Sequence, residues 1–336
     1  MMAAESSPLL DVRGLTVDID TEDGVLRAVD HVSFSISPGE TFGLVGESGC
    51  GKSVTAMSLA RLIPTPPCRI VSGEVLFCGR DLLKMPIEEL HQIRGKEIGV
   101  VFQEPMTALS PLVRVGEQLA EVVHLHEKID HHEALERARL WLDKVGIPDT
   151  KRCLASYPFE LSGGMRQRVM IAMALILQPK LIIADEPTTA LDVTIQAQIL
   201  DLMREVKGPE AALLLITHDM GVIWEMCQRM AVMYASRIVE TGLVKELFAE
   251  PRHPYTQGLL RSIPSMNLGA GRLPHIPGQV PSLLHLPPGC AFAERCDKAT
   301  EACRQGVPPL VDKDGHAVAC VNKKLQTKET NHDKAN

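Results

Sequence analysis

Short apolar stretches alternate with longer helical patterns along this 336-residue chain. Two nearly continuous apolar runs, LIIAD at 181–185 and ALLLITHD at 212–219, are typical of strands buried on both faces. Apolar positions recur with a helical period between 105 and 178, and the segment 10–43 predicts short strands separated by turn residues. Strands that alternate with helices predict an α/β fold with a parallel sheet covered on both faces.

A glycine-rich turn, LVGESGCGKSVTA at 44–56, lies between a strand pattern and a helical pattern. Its spacing fits a phosphate-binding loop, in which backbone N–H groups and a helix N-terminus face an anion. Lys52 would supply positive charge to the β and γ phosphates, and the Ser53 hydroxyl can ligate Mg²⁺. On the motif alone, the alternative is a glycine-rich turn that binds nothing. The predicted nucleotide site comprises Gly46, Glu47, Ser48, Gly49, Cys50, Gly51, Lys52, Ser53 and Val54.

A pair of acidic residues follows the apolar run LIIAD. Asp185 and Glu186 are predicted to stand at the carboxyl end of a strand, which is the edge where open α/β sheets bind ligands. An aspartate there can hold Mg²⁺ through water, and the glutamate can polarise a water molecule for attack on the γ-phosphate. A solvated acidic turn is the alternative interpretation.

A second anion site is predicted within YPFELSGGMRQRVMIAMALIL. Ser162 can cap the following helix, while Gly163 and Gly164 expose backbone donors at its positive end. One nucleotide does not need two such ends, so we infer that ATP is clamped between the phosphate loop of one subunit and the serine-glycine end of another. An ordinary capped helix is the alternative.

Composition limits the function classes. The net charge of −7 argues against broad nucleic-acid binding, which usually requires a basic surface. The N-terminal segment lacks the pattern of a secretory signal, and no apolar run reaches the roughly 18 residues of a membrane span. We therefore expect a cytoplasmic chain whose link to a membrane comes through partners. In that reducing compartment, metal ligation by the nine cysteines is favoured over disulfides.

Six ordered motifs between residues 10 and about 245 resemble those of the ATP-binding cassette ATPases. They are GESGCGKS, FQEPMTALSP, LSGGMRQR, LIIADEP, ALD and ITHD. The resemblance implies a P-loop cassette at 8–250 with a RecA-like core, an antiparallel β subdomain and a helical subdomain at about 105–170.

The same resemblance implies catalytic roles for residues in these motifs. Gln103 would sense Mg²⁺ and the attacking water, and it would join Ser53 and Asp185 around the cation. Glu186 would act as the catalytic base for ATP hydrolysis, and His218 would contact the γ-phosphate.

Other motif residues would act across a dimer interface or on the base. Asp192 would organise the interface between two cassettes. Family members usually stack adenine on an aromatic residue, whereas here the nearest equivalent is Ile19. The residues that would complete the partner's ATP site are Ser162, Gly163, Gly164 and Met165.

The C-terminal segment at 251–322 resembles the extension of ATP-binding subunits of oligopeptide and dipeptide importers. The resemblance rests on HPYTQGLLRSIP at 253–264 and IPGQVPSLLHLPPGCAFAERC at 276–296. It implies a peripheral ATPase on the cytoplasmic face of the inner membrane, which powers peptide import through two transmembrane permease subunits. A second cassette ATPase, in a heterodimer rather than a homodimer, and an external substrate-binding protein would complete the system.

Other functions for a cassette ATPase stay open at this point. The chain could serve a related importer of nickel or another small solute, or it could be a soluble cassette ATPase that acts on nucleic acid or the ribosome. A non-hydrolysing structural cassette is a third alternative, but the intact Lys52, Asp185, Glu186 and His218 argue against it.

Four cysteines of the extension form a candidate metal site, and the charged segment 323–336 is predicted to be disordered. Four thiolates suit either a tetrahedral zinc ion or a 4Fe-4S cluster, and the resemblance to the peptide-importer extension favours the cluster. Cysteines that only pack or stay free are the third alternative. The four are Cys290, Cys296, Cys303 and Cys320, at spacings x5, x6 and x16.

Overall fold

The computed structural model describes residues 7–188, 192–263 and 275–322, so the predicted disordered segment at 323–336 lies outside it. The strands of these ranges are, in chain order, Leu10–Thr21 (β1), Gly24–Ile36 (β2), Thr41–Val45 (β3), Cys68–Phe77 (β4), Arg80–Asp81 (β5), Ile98–Val101 (β6), Leu181–Asp185 (β7), Ala212–Thr217 (β8), Arg229–Tyr234 (β9), Arg237–Leu243 (β10), Val311–Lys313 (β11) and His316–Val318 (β12).

The helices cover both faces of the larger sheet. No helix of the described ranges combines the length and the apolar character that a membrane crossing requires. The helices are Lys52–Leu59 (α1), Ile87–Ile93 (α2), Pro105–Ala108 (α3), Val115–His124 (α4), His131–Lys144 (α5), Thr150–Ala155 (α6), Gly163–Leu175 (α7), Val193–Val206 (α8), Met220–Met226 (α9), Val244–Ala249 (α10), Pro254–Arg261 (α11) and Ala302–Gln305 (α12).

Two sheets organise the fold. An antiparallel sheet has the strand order β2-β1-β4-β5, and a mixed sheet has the order β11-β12-β10-β9-β3-β8-β7-β6. In the mixed sheet β9, β3, β8, β7 and β6 are parallel to one another, whereas β10, β12 and β11 join by antiparallel pairing. The predicted α/β cassette fold, with an antiparallel β part and a helical part, is confirmed.

Strand β8 shows why the apolar runs form the centre of this sheet. All of its residues are buried, and alternate side chains point to opposite faces. Leu213 and Leu215 pack into the core beneath the helical region, whereas Leu214 and Ile216 pack into the core shared with the antiparallel sheet. A strand covered on both faces favours apolar residues at consecutive positions, and β8 is apolar from Ala212 to Ile216 before it ends at Thr217.

The C-terminal extension continues the mixed sheet. Strand β12 pairs with β10, with Glu240 opposite Val318 and Thr241 opposite Ala317. The sequence does not predict this pairing, because no local pattern indicates that a three-residue strand pairs with a hairpin about 75 residues earlier. The predicted domain boundaries at 250, 251 and 322 stay a prediction.

A fully buried carboxylate fastens the extension to the sheet. Glu240 accepts hydrogen bonds from the backbone N–H groups of Arg252 (2.6 Å) and His253 (3.0 Å). It also lies 2.7 Å from Nε2 of His316, a buried residue of β12. One side chain therefore joins β10, the start of α11 and β12.

Replacing Glu240 with alanine should destabilise the folded chain. The substitution leaves two backbone donors and an imidazole without their acceptor, which we expect to lower the free energy of unfolding by about 3 kcal/mol. Urea unfolding of the full chain, followed by circular dichroism, measures this loss. Glu246→Ala is the matched control: Glu246 is an exposed residue in the first turn of α10, and its loss should cost less than about 1 kcal/mol. Equal losses in the two variants would contradict the fastening role of Glu240.

Candidate functional site

Four neighbouring parallel strands place the predicted catalytic residues along one edge of the mixed sheet. The phosphate loop, residues 46–51, follows β3, and His218 follows β8. Asp185 ends β7 with Glu186 directly after it, and the exposed Gln103 follows β6 by two residues. Because these strands are adjacent and parallel, their carboxyl ends meet at one edge, which is where α/β sheets bind ligands.

Two glycines of the phosphate loop lie where no side chain fits. A Cβ atom on Gly46 would lie 2.2 Å from the carbonyl oxygen of Met233, and one on Gly51 would lie 2.1 Å from that of Ala28. Gly51 also has a φ of +101°, in the left-handed region that favours glycine, directly before α1 begins. Two neighbouring strands, β9 and β2, therefore fix the path of the loop.

The loop is closed around its own lysine. Lys52 is buried, and its Nζ donates hydrogen bonds to the carbonyl oxygens of Gly46 (2.9 Å) and Glu47 (3.0 Å). Ser48 and Gly49 are exposed at the tip of the loop, while Val54 is half-buried in the first turn of α1. A phosphate oxygen that enters the loop would meet an ammonium group that is already in place.

Two oxygen atoms beside the loop form a candidate cation site. The Ser53 hydroxyl donates a hydrogen bond of 2.9 Å to Oδ1 of Asp185. Burial raises the pKa of Asp185, against the hydrogen bond from Ser53, and the neighbouring Glu186 raises it further. Adjacent ligands in an octahedral Mg²⁺ shell of radius about 2.1 Å lie about 3 Å apart. The Ser53 and Asp185 oxygens therefore fit neighbouring positions around Mg²⁺, whose charge would favour ionised Asp185.

The second carboxylate of this edge faces a histidine. Oε2 of Glu186 lies 3.4 Å from Nδ1 of His218. The Glu186 side chain is 13% exposed and the His218 side chain 61% exposed, so the pair stands at the rim of the site. The backbone of Glu186 has a φ of +44°, and its N–H donates to the carbonyl oxygen of Ile216. A positive φ at a residue other than glycine is strained backbone, which is found most often at functional sites.

The predicted second anion site is an open helix N-terminus. Ser162 caps α7 by accepting a hydrogen bond of 3.3 Å from the backbone N–H of Met165. A Cβ on Gly163 would meet nothing within 4 Å, and one on Gly164 would meet only ordinary van der Waals contact. Neither glycine has a positive φ, so contacts and backbone conformation within the described residues do not require glycine at these positions.

Three further predicted site residues have structural roles within the chain or pack in its sheets. Asp192 is exposed and caps α8, because its Oδ1 accepts from the N–H of Ile195 at 3.0 Å. Ile19 is half-buried on β1, opposite Leu26 of β2. Cys50 is fully buried in the loop, and burial raises the pKa of its thiol, so it is a packing residue of the apolar core.

Two residues of the extension, which no sequence motif predicted, hold the phosphate loop. The Tyr255 hydroxyl accepts a hydrogen bond of 2.9 Å from the backbone N–H of Glu47. The Arg295 guanidinium binds the Glu47 carboxylate at two atoms, at 2.7 and 3.0 Å, and this contact raises the pKa of Arg295. More than 200 residues separate each contact pair, so no local pattern could have shown them.

The structure brings the four cysteines of the extension around one cavity but does not support the predicted 4Fe-4S cluster. Their cavity has a volume of about 20 Å³, close to that of a single water probe. In the described ranges no three histidine, cysteine or acidic side chains have the spacing of metal ligands. Burial raises the pKa values of Cys290 (to about 11), Cys296 and Cys320, which disfavours the thiolate form that metal ligation needs. The four thiols therefore share one cavity, but their side chains do not have the spacing of metal ligands.

Two family models match separate parts of the chain. The model described as ABC transporter matches residues 29–189, which include the phosphate loop, the Ser162 helix end and the Asp185–Glu186 pair. The model described as the C-terminal region of oligopeptide/dipeptide transporters matches residues 239–303, which include Tyr255 and Arg295.

Curated relatives match almost the whole length of the chain. One is named a probable peptide ABC transporter ATP-binding protein of Sinorhizobium fredii, at 52% identity over 95% of this chain and 97% of the relative. Two are from Bacillus subtilis: the oligopeptide transport ATP-binding protein OppD, at 50% identity over 90% of this chain and 85% of OppD, and the dipeptide transport ATP-binding protein DppD, at 46% identity over 93% and 94%.

Solved structures match the cassette part of the fold. A dimeric ATP-binding cassette in a post-hydrolysis state, bound to ADP and Pi, matches with a TM-score of 0.62 and 26% identity over 70% of this chain and 98% of that structure. A subunit of an ABC transporter complex from Clostridium perfringens matches with a TM-score of 0.60 and 27% identity, over 73% and 92% of the two chains.

Proposed function

Because this chain belongs to the ABC transporter family, as an ATP-binding subunit of the oligopeptide/dipeptide branch, we propose that it hydrolyses ATP to power peptide import through separate permease subunits. The observation that carries this function is that both the cassette and the extension match peptide transport ATP-binding proteins, with about 50% sequence identity over nearly the full chain. The alternatives of a nickel importer or a soluble cassette ATPase are not favoured by these relatives.

ATP would bind with its phosphates in the loop after β3. The N–H groups of Ser48, Gly49 and Gly51 and the N-terminus of α1 would donate to the β-phosphate, and Lys52 would exchange its two carbonyl partners for the β and γ phosphates. Ile19 would pack against the adenine in place of an aromatic side chain. Van der Waals contact on an aliphatic side chain lacks the stacking geometry of a ring, so we expect weak discrimination between bases.

Ser53 and Asp185 would hold Mg²⁺, with Gln103 as a further ligand. The 2.9 Å separation of the Ser53 and Asp185 oxygens and the oxygen chemistry of all three side chains support this assignment. Bound there, Mg²⁺ would neutralise charge on the β and γ phosphates.

Glu186 would accept a proton from the water that attacks the γ-phosphorus. Its carboxylate stands one residue beyond Asp185, at the rim of the site, and its neighbour His218 is exposed enough to reach a bound γ-phosphate. As the oxygen of the water bonds to phosphorus, the bond from phosphorus to the β,γ-bridging oxygen breaks and ADP leaves with that electron pair.

The open helix end at Ser162 would complete the ATP site of a second cassette. Nothing within 4 Å of a Cβ on Gly163 requires a glycine there, which supports close approach by a group outside the chain. Gly164 and Met165 continue the same turn, and Asp192 would lie at the interface between the two cassettes. We propose that the chain forms a heterodimer with a second cassette ATPase on the cytoplasmic face of the inner membrane. The heterodimer would bind two permeases, to which an external substrate-binding protein delivers the peptide.

Glu186→Gln should keep ATP binding, trap the closed dimer and abolish turnover. Glutamine retains the shape of the side chain but cannot accept the proton of the attacking water, so we expect at least a hundredfold loss of kcat. The rate of phosphate release from the assembled transporter measures this loss, and size-exclusion chromatography with ATP detects the trapped dimer. Glu205→Gln, an exposed residue of α8, is the matched control. Hydrolysis at the control rate would remove Glu186 from the role of base.

Deleting the gene for this chain in its native cell should abolish uptake of labelled di- or tripeptides, because permeases without an ATPase cannot complete a transport cycle. Uptake should return with the intact chain and not with Lys52→Ala, which removes the positive charge from the phosphate loop. Affinity purification from detergent-solubilised membranes identifies the partners in the same cells. Normal peptide uptake with lost nickel uptake, or recovery of ribosomal proteins and no permease, would overturn the peptide assignment.

We further propose that the four cysteines of the extension hold a 4Fe-4S cluster, as the resemblance to peptide-importer extensions implies. The convergence of Cys290, Cys296, Cys303 and Cys320 on one cavity supports a shared ligand set, while their spacing does not. Thiolates are the binding form, so a cluster would displace the thiol protons and require the cavity to widen.

Metal analysis of the anaerobically purified chain tests the cysteine assignment. About four iron and four sulfide per chain are expected, and Cys303→Ser, which replaces a buried ligand candidate, should lose them. Cys153→Ser, a buried cysteine of α6 outside the extension, is the matched control and should retain them. One zinc per chain, or folded protein free of metal, would contradict the cluster.

A further inference from the structure

Glu47 of the phosphate loop is held at four of its atoms, three of them by the C-terminal extension. Its backbone N–H donates to the Tyr255 hydroxyl at 2.9 Å, and its carboxylate accepts both branches of Arg295 at 2.7 and 3.0 Å. Its carbonyl oxygen accepts from Nζ of Lys52 at 3.0 Å. Glu47 is therefore held both by residues of the extension and by the lysine of its own loop.

The Arg295 side chain is itself rigidly placed. It is 6% exposed, and its Nε donates to the carbonyl oxygen of Pro277 at 3.0 Å. Its guanidinium carbon lies 5.8 Å from the ring centroid of Tyr234 and 5.9 Å from that of Phe292, so aromatic rings flank the charge. A planar fork fixed in this way imposes one orientation on the carboxylate that it binds.

Tyr255 is fixed with equal firmness. It is fully buried, and its ring centroid lies 4.6 Å from that of Tyr234 and 5.4 Å from that of Phe292. Its hydroxyl contacts a backbone atom of the loop, so it constrains the main chain of Glu47 while Arg295 constrains the side chain.

We propose that Arg295 and Tyr255 are positioning residues for ATP: by holding Glu47 they preset the phosphate loop in its binding conformation, and Arg295 neutralises a carboxylate that would repel the phosphates. The inference rests on the proposed ATP site and assigns a task to the extension within it. A loop that is already ordered loses less conformational entropy when a ligand binds. Neutralisation of Glu47 matters because the nucleotide carries several negative charges to the same loop.

The expected signature is weaker ATP binding with normal chemistry. If Arg295→Gln leaves the loop in its competent conformation about a tenth of the time, the KM for ATP rises about tenfold, while kcat stays within about twofold. Hydrolysis of ATP by the assembled transporter, over a range of ATP concentrations, measures both constants. Titration of the full chain with the fluorescent analogue mant-ATP measures binding directly.

A double-mutant cycle separates this role from a general structural one. Glu47→Gln removes the carboxylate that Arg295 serves, so Arg295→Gln should raise KM by less than about twofold in the Glu47→Gln background. Tyr255→Phe retains the ring packing and removes only the hydroxyl, and we expect it to raise KM in the wild-type background. Arg304→Gln is the matched control, because Arg304 is an exposed arginine of the same extension that pairs with Glu301, its neighbour three residues earlier.

The outcomes are distinct. The positioning role would be overturned if Arg295→Gln had the same KM for ATP as Arg304→Gln. It would also be overturned if the effects of Arg295→Gln and Glu47→Gln on KM multiplied independently. In either case, ATP hydrolysis by the wild type would leave the proposed ATPase function intact. Absence of ATP binding by the wild type would instead overturn the proposed function. If Arg295→Gln does not fold, Arg295→Lys, which keeps the charge but loses the fork, and Tyr255→Phe supply the same comparison. Both must raise KM for the inference to stand.

Discussion

The close approach of the phosphate loop to two neighbouring strands is the constraint on which the site depends. Carbonyl oxygens of Met233 and Ala28 occupy the space where a side chain on Gly46 or Gly51 would stand. These close approaches restrict the path of the loop between β3 and α1, and the Lys52 ammonium is held within it by two carbonyl oxygens of the loop. The Asp185–Glu186 pair and His218 share that edge because the strands before them are parallel to β3.

Features that depend on local sequence could be predicted. The apolar runs before Asp185 and His218 required burial on both faces, so they identified central strands and the edge at which each residue lies. The spacing of the glycines around Lys52 identified the loop, since few other functions need that pattern. Ser162 was recognisable because it caps the helix that begins directly after it, whereas Asp192 was assigned only through the family resemblance and its cap of α8 was not predicted.

Features that depend on distant segments could not be predicted. The pairing of β12 with β10 and the contact of Arg295 with Glu47 join residues about 75 and 248 positions apart, and no periodic pattern carries such information. For the four cysteines, the limit of the sequence was the geometry of the site rather than its location. Their number and the family resemblance predicted a shared site, and they do line one cavity. Whether thiols form a ligand set depends on distances between side chains that a sequence does not contain.

Strand β10 would have an unpaired edge without the extension. Exposed sheet edges pair readily with other chains, and native proteins avoid this by covering them or by ending them with short, charged strands. Here β12 covers β10, and the new outer strand, Val311–Lys313, has three residues of which two are charged. A chain truncated after α10 would therefore lose its extension and also expose the unpaired backbone N–H and C=O groups of β10. Self-association of such a fragment would reflect uncovered backbone and would say nothing about the peptide transporter in its intact form.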